Sequence, residues 1–532
     1  MLKLLTRTLL ITALTSLAAC GGGGGGNGGG LGQPGGGNND DWQQGVFLDA
    51  DTFFANCAAP RSGTDPATGQ PYPDVAGSVL DENNFLRSYT NDTYLWYDEV
   101  TDRDPSLYND PLEYFGLLRT TALTPSGTPK DQFHFTYDSE EWFQLSQSGT
   151  TFGYGITWAF LQNTPPRELR IAYTEPNSPA TNLPVPLQRG ALIVAIDGVD
   201  VANGNDVDTL NAGLSPSTVG EQHTFTVLDV GSATTRDVIL TSASVTAATV
   251  QNTKVISTPT GEVGYMTFND HLATAEQELI DAVNELNAHD AGAGIDDLVL
   301  DLRYNGGGFL AIGSELAYMI AGAGPTAGRV FEDIQFNDKH PVTDPVTGQP
   351  LSPVPFYTTA LGSPFNGTPG AALPTLDLPR VFVLTGGGTC SASESIMNGL
   401  RGVGVEVIQI GSTTCGKPYG FYPTDNCGTT YFTIQFRGVN DAGFGDYADG
   451  FKPDNGSGPG EDIPGCSVAD DFLNQLGDEA EGRLAAALYY QEFDSCPTAS
   501  GVSLGEVAVR VEKPEPVLLK SPWQTNRILV PR

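Results

Sequence analysis

Ser391 and Lys417 are the residues whose types and setting could do chemistry together. Ser391 opens the stretch Ser391-Ala392-Ser393-Glu394 after Thr389-Cys390, at the start of an expected helix, and Lys417 stands in Gly416-Lys417-Pro418. A serine hydroxyl attacks a carbonyl only when a base takes its proton. No histidine follows His340, which leaves a lysine as the expected base. That lysine must be neutral, and burial that lowers its pKa by several units makes it so. Its neighbours, Cys415-Gly416 before and Pro418-Tyr419-Gly420-Phe421 after, are uncharged and partly aromatic, as such a pocket requires. Taken alone, Lys417 reads as a lysine on a surface loop; set among these motifs it reads as the base.

Two glycine-rich turns stand near these residues in the expected fold. Gly306-Gly307-Gly308 follows the apolar run 298–302, and Gly386-Gly387-Gly388 follows 381–384. A turn between a buried strand and a helix start presents backbone N–H groups, the material of an oxyanion hole. Glycine-rich turns also cradle phosphates, but neither one has the Walker spacing or the GxGxxG pattern. Ser391-x-x-Glu394 has a second reading as a capping box, with Ser391 as N-cap. Glu394 is therefore either an orienting residue of the site or a charge that complements the helix start.

The elements that must position these groups follow from periodicity. Ala275 to Asn287 reads as a helix, since Leu279, Val283 and Leu286 share a face. The run 298–302 is nearly all apolar, as in a strand buried on both sides. A helix is expected over 309–321 and strands over 263–268 and 381–384, with 405–410 and 430–436 completing the sheet. The insertion 331–379, rich in Pro, Gly and Thr, reads as surface loop with at most short strands. Residues 47–147 read as helical, with aromatics at Phe85, Tyr89, Tyr94, Trp96 and Tyr97. From 149 to 245 the character is β, with the alternating run 192–196 closed by the turn pair Asp197-Gly198.

That β stretch resembles a PDZ domain. Phe152-Gly153-Tyr154-Gly155-Ile156 stands at its start, followed in order by Ser178-Pro179-Ala180, Gln188-Arg189-Gly190-Ala191 and Ile196-Asp197-Gly198. The resemblance implies that Gly153, Tyr154, Gly155 and Ile156 present backbone N–H groups to the terminal carboxylate of a peptide that adds as a strand. The alternative is a small β domain that only packs against the catalytic unit.

Over 150–490 the chain resembles the C-terminal processing (tail-specific) protease family of serine peptidases. Asp301-Leu302-Arg303-Tyr304-Asn305-Gly306-Gly307-Gly308 is similar to that family's Asp-Leu-Arg-x-Asn-x-Gly-Gly segment. Ser391-Ala392-Ser393-Glu394 resembles its nucleophile motif, 411–417 its lysine segment, and Asp449-Gly450-Phe451-Lys452-Pro453-Asp454 its later Gly-x-x-Pro-Asp signature. The resemblance implies Ser391 as nucleophile, Lys417 as general base, and the N–H groups of Gly307 and Ala392 as oxyanion hole, with Glu394 in support. Many relatives place a glutamine four residues after the lysine, where this chain has Phe421, so the third member of the site stays open. The implied fold is multidomain α/β: a helical N-terminal region, a PDZ-like β domain, and an α/β catalytic core of the C-terminal processing protease (crotonase-like/ClpP-like) type.

The N-terminus places such a site in the cell envelope. Lys3 and Arg7, the apolar run 9–17 and Leu17-Ala18-Ala19-Cys20 read as a secretory signal. The small residues before Cys20 resemble a lipobox, which implies lipidation of Cys20 and, with Gly21 next, an outer-membrane lipoprotein facing periplasm or cell surface. Residues 21–41, nearly all Gly and Asn, form a flexible tether. Six cysteines remain: Cys57, Cys390, Cys415, Cys427, Cys466 and Cys496. In an exported chain they allow three disulfides in fifteen connectivities. A Cys390–Cys415 bond would tie the two catalytic segments together. The spacing lacks a zinc pattern, and no metal or cofactor is expected. A net charge of −37 argues against nucleic acid or anionic lipid as a partner, so membrane contact is expected through the anchor only, with polypeptides as substrates.

The expected organisation is 1–19 signal, 20–45 lipidated tether, 46–148 helical domain, 149–248 PDZ-like domain, 249–498 serine peptidase core and 499–532 tail. The function expected is a serine endopeptidase acting on exported or unfolded polypeptides. The alternatives are a non-proteolytic binding protein and a peptide-binding scaffold on the same fold.

Overall fold

A six-stranded sheet carries the site. In spatial order its strands are Val250–Thr258, Gly261–Phe268, Asp297–Asp301, Arg380–Thr385, Glu406–Gly411 and Gly465–Ser467. The first is antiparallel to its neighbour and the others run parallel. The computed structural model describes residues 42–497, 517–519 and 527–529, and those from Gln44 onward fall in one unit. The expected signal 1–19, Cys20, the tether 21–41 and most of the tail 499–532 lie outside the described residues.

Alternate side chains of each strand feed two cores. Leu298, Leu300, Val381, Val383 and Val407 face the helices Ala275–Asn287, Leu310–Ala321 and Ala392–Gly402. Val299, Phe382, Leu384, Ile408 and Ile410 face the helix Gly482–Phe493. Coverage on both faces explains why 298–302 has no polar alternation. The strand ends carry the functional turns because parallel strands bring their C-terminal ends to one edge.

Residues 149–248 form an antiparallel β unit with its own core, built from Trp158, Leu169, Ile171, Ile193, Ile196, Phe225 and Val227. Gly155, at φ +70, must be glycine for a second reason: a Cβ there would lie 2.2 Å from Ser178 Cβ. A buried charge network ties this unit to the catalytic sheet. Arg189 Nη2 donates to Asp470 Oδ1 at 2.7 Å, Arg303 Nη1 donates to the same oxygen at 3.0 Å, and Tyr304 OH donates to Asp470 Oδ2 at 2.5 Å. Arg303 also forks onto Glu481 at 2.6 and 2.8 Å. Each of these side chains is almost fully excluded from water.

Three expectations of element or packing change. Helix in 46–148 is limited to Val79–Thr93, Pro111–Gly116, Ser139–Ser148 and short 3₁₀ turns, because prolines and glycines break the intervening sequence. The stretch 430–436 does not complete the main sheet. Thr429–Phe432 pairs with Phe135–Asp138, and Phe436–Val439 pairs with Val330–Gln335. A disulfide between Cys57 and Cys427 closes the same junction. The insertion 331–379 is not mere surface loop: Phe331, Phe356, Phe365, Leu373 and Leu378 are buried in the main core. Their irregular spacing hides them from any periodicity test. Phe331 lies so close to the helix Ala392–Gly402 that a Cβ on Gly399 would meet its ring at 2.6 Å.

Candidate active site

Ser391 sits where the strand Arg380–Thr385 has turned through 386–390 and the helix Ala392–Gly402 begins, at φ 63° and ψ −121°. A non-glycine residue there stores roughly 1–3 kcal/mol of strain and persists only when its surroundings over-determine it. They do so here. Thr389 Oγ1 donates to Leu302 O at 2.8 Å and accepts from Gly386 N at 2.9 Å. Cys390 N and Ser393 Oγ both donate to Asn305 O at 3.1 Å. Ser391 has no solvent exposure and its Oγ is without a hydrogen-bond partner among the described residues.

Glu394 joins the serine segment to the lysine segment. Its Oε2 accepts from the backbone N–H groups of Ser391 at 2.9 Å and Lys417 at 2.8 Å. Its Oε1 accepts from Gly416 N at 2.9 Å and Thr414 Oγ1 at 2.5 Å. The bond from Ser391 N puts the carboxylate at the start of the helix, where negative charge complements the helix dipole, and the bonds from Gly416 and Lys417 carry the same side chain across to the lysine segment. Burial pushes this carboxyl above its ordinary value, against the donors from Thr414, Lys417, Ser391 and Gly416 that favour its ionised form. A disulfide between Cys390 and Cys415, with Cα atoms 5.2 Å apart, and a bond from Cys415 N to Thr389 O at 3.0 Å make the same junction.

Lys417 is fully buried. Its Nζ lies 4.2 Å from the Phe421 ring centroid and 4.9 Å from that of Phe133. Phe421, the departure from the family pattern, therefore forms a wall of the amine's pocket. Phe133 comes from the N-terminal region, and no spacing rule points to it.

The turn at Gly307 differs from the expectation. Its N–H is not open to a substrate oxygen, because Asn305 Oδ1 accepts it at 3.0 Å. Asn side chains take the amide two residues on in this way. Asn305 Oδ1 also meets His271 Nδ1 at 3.0 Å, and its Nδ2 donates to Phe268 O at 2.9 Å. With that amide oriented, His271 Nδ1 is the protonated ring nitrogen. Burial drives the His271 imidazolium down to about 3, so the ring is neutral at ordinary pH. His271 also covers one edge of the strand Gly307–Phe309, donating to Gly307 O at 3.3 Å and accepting from Phe309 N at 2.9 Å. Strand alternation then turns the Gly308 amide to the opposite edge. Ala392, as first residue of its helix, has an N–H with no acceptor within that helix. His271 stands in none of the motifs, and only tertiary folding brings it from upstream to the glycine turn.

Gly153, Tyr154, Gly155 and Ile156 form a turn at the start of the edge strand Ile156–Gln162. Tyr154 turns its ring into the core of the β unit against Phe225. Tyr154 O accepts from Ala180 N at 3.0 Å and Gly155 O from Glu175 N at 2.8 Å, which fixes the turn. Cys390, Glu394 and Cys415 bring their ligand-type atoms within 4.8 Å of one another, but the disulfide leaves the two sulfurs without a thiolate to offer a metal.

Residues 262–421 match the model described as Peptidase family S41, and residues 81–136 match the Peptidase S41 N-terminal domain. A carboxyl-terminal-processing protease from Picosynechococcus is 27% identical over 280 residues, covering 52% of this chain and 56% of that relative. The match thus spans little more than half the length of the relative. A crystal structure from Bacteroides fragilis, assigned to the S41 proteases, superposes with a TM-score of 0.57 at 21% identity, covering 80% of this chain and 98% of the other. At that identity the likeness speaks for the fold. The Gly307 turn, Ser391, Glu394 and Lys417 all lie inside the first matched segment, and the chain carries domains of peptidase family S41.

Proposed function

We propose that this chain is a serine endopeptidase of the cell envelope that cleaves exported or unfolded polypeptides. The observation that carries the reading is the Glu394 carboxylate, which binds the Ser391 and Lys417 amides on one oxygen, beside a buried Ser391 Oγ without a hydrogen-bond partner among the described residues. Lys417 Nζ takes the Ser391 hydroxyl proton as Oγ attacks the scissile carbonyl carbon. The resulting oxyanion is held by the amides of Gly308 and Ala392, since Asn305 already occupies Gly307. The lysine returns its proton to the departing amine, and water then releases the acyl group from Ser391 by the same proton path. A neutral lysine requires exclusion of water from Nζ, and the aromatic walls at Phe133 and Phe421 support that.

The unit 149–248 acts as the PDZ-like grip on a substrate's chain end, with Gly153, Tyr154, Gly155 and Ile156 as its carboxylate turn. The Cys20 lipobox and the glycine tether support an envelope location, and three disulfides suit an oxidising compartment. Incubating the full chain with a denatured polypeptide, beside Ser391→Ala and Lys417→Ala, tests the reading. Both substitutions should lower hydrolysis about 10³-fold or more; a residual rate near wild type in either would end the assignment of that residue.

A further inference from the structure

Two short strands near the C-terminus lie where a polypeptide substrate would have to lie. Val517–Leu519 pairs antiparallel with the edge strand Ile156–Gln162, in the register Val517 to Phe160, Leu518 to Ala159 and Leu519 to Trp158. The tail therefore runs toward the Gly153-Tyr154-Gly155 turn, as an added peptide strand does when it approaches a glycine-containing carboxylate loop. Leu518 packs against Ala159, Ala172, Tyr173, Tyr304 and Phe472. A Cβ on Gly388 would meet Leu518 Cδ1 at 3.4 Å, so this leucine also borders the turn that leads to Ser391.

Farther along, Arg527–Leu529 pairs parallel with Gly307–Phe309, with Ile528 opposite Gly308. The same short strand adjoins the helix Ala392–Gly402 and the strand Tyr419–Gly420. It is thus bordered by the glycine turn, the helix that Ser391 opens and the strand just after Lys417. The opposite edge of Gly307–Phe309 is closed by His271, so the tail holds the edge to which the Gly308 amide turns. Ser391 and Lys417 have no exposure in this arrangement. A substrate carbonyl reaches Oγ only after something leaves the cleft.

We propose that the chain's own strands Val517–Leu519 and Arg527–Leu529 are intramolecular competitors of substrate: the first occupies the peptide groove of the β unit, the second the cleft beside Gly308, and an incoming chain end must displace them. This inference rests on the peptidase reading of the site. Tethered ends act at an effective concentration of about millimolar, so a tail of modest intrinsic affinity suffices to hold the site against dilute substrate.

The test separates binding from catalysis. In a full-chain Ser391→Ala background, a fluorescein-labelled peptide of residues 515–532 is titrated by anisotropy against the parent, Leu518→Asp and Leu529→Pro. Leu518→Asp removes the packing in the groove, and Leu529→Pro removes the backbone donor that faces Gly308 O in the second pairing. Both variants should bind the peptide about tenfold more tightly than the parent; equal affinity in all three overturns the proposal. With Ser391 intact, Leu518→Asp should lower KM for a polypeptide substrate about tenfold at unchanged kcat. An unchanged KM counts against the proposal, whereas no hydrolysis by any form sinks the peptidase reading and leaves the binding result standing. Intact mass of the Ser391 form after incubation gives the last arm: a tail retained supports competition, and a tail removed makes it a substrate and overturns the proposal.

Discussion

Glu394 Oε2 accepts the backbone N–H of Lys417 at 2.8 Å, and the same oxygen accepts that of Ser391 at 2.9 Å. One carboxylate oxygen therefore fixes the spacing between the segments that carry the proposed nucleophile and base. In Glu394→Gln the new NH₂ faces amide donors and two of the four bonds are lost. Stability should fall by about 2–4 kcal/mol in denaturant unfolding, and kcat should fall at least tenfold. Wild-type stability and rate in the Gln variant would show that the four contacts do not hold the site.

Lys417 and His271 offer a clear separation of roles. His271 holds Asn305, which holds the Gly307 amide, so His271→Gln should lower kcat by about tenfold through the glycine turn while leaving the pH profile unchanged. Lys417→Ala should abolish turnover. The reverse pattern, with Lys417→Ala active and His271→Gln inactive, transfers the base role to His271.

The Cys390–Cys415 disulfide closes a short loop that contains Ser391 and Glu394. Loop-closure entropy assigns roughly 3 kcal/mol to a crosslink of this span. The double variant Cys390→Ala/Cys415→Ala should lose about that much stability and should show a weakened kcat, since the crosslink and the Glu394 contacts act on the same junction. Peptide mapping under non-reducing conditions checks the pairing directly; Cys390 found free or linked elsewhere removes the basis of this expectation.

Glu332 gives a pH dependence with a definite sign. It is buried in the strand Val330–Gln335, and desolvation lifts its carboxyl to about 7. A carboxyl raised above its unfolded value of about 4.3 contributes stability in full below that pH and loses it as pH rises through about 7. The fall across this window should be about 4 kcal/mol. Glu332→Gln should lack it, so the variant gains on wild type at pH 8 relative to pH 5. The comparison is read from denaturation midpoints at the two pH values, and an identical difference at both would contradict the assignment.

What the sequence determined by itself was chemistry that depends on local order. Ser391, Lys417 and the two glycine turns stand in contiguous motifs, and the helix Ala275–Asn287 follows from Leu279, Val283 and Leu286 on one face. Strand 298–302 was legible because a chain buried on both faces has no polar alternation to show. Contacts between distant residues were decided only by tertiary structure. His271 reaches the glycine turn, Phe133 walls the lysine pocket, Arg189 meets Asp470, and the tail strands find Ala159 and Gly308. None of these pairs shares a period or a motif. The availability of an amide was likewise invisible: Gly307 looked open until the fold placed Asn305 Oδ1 on its N–H. Sequence spacing fixes which groups a strand or helix presents, but which distant group meets them depends on how the elements pack.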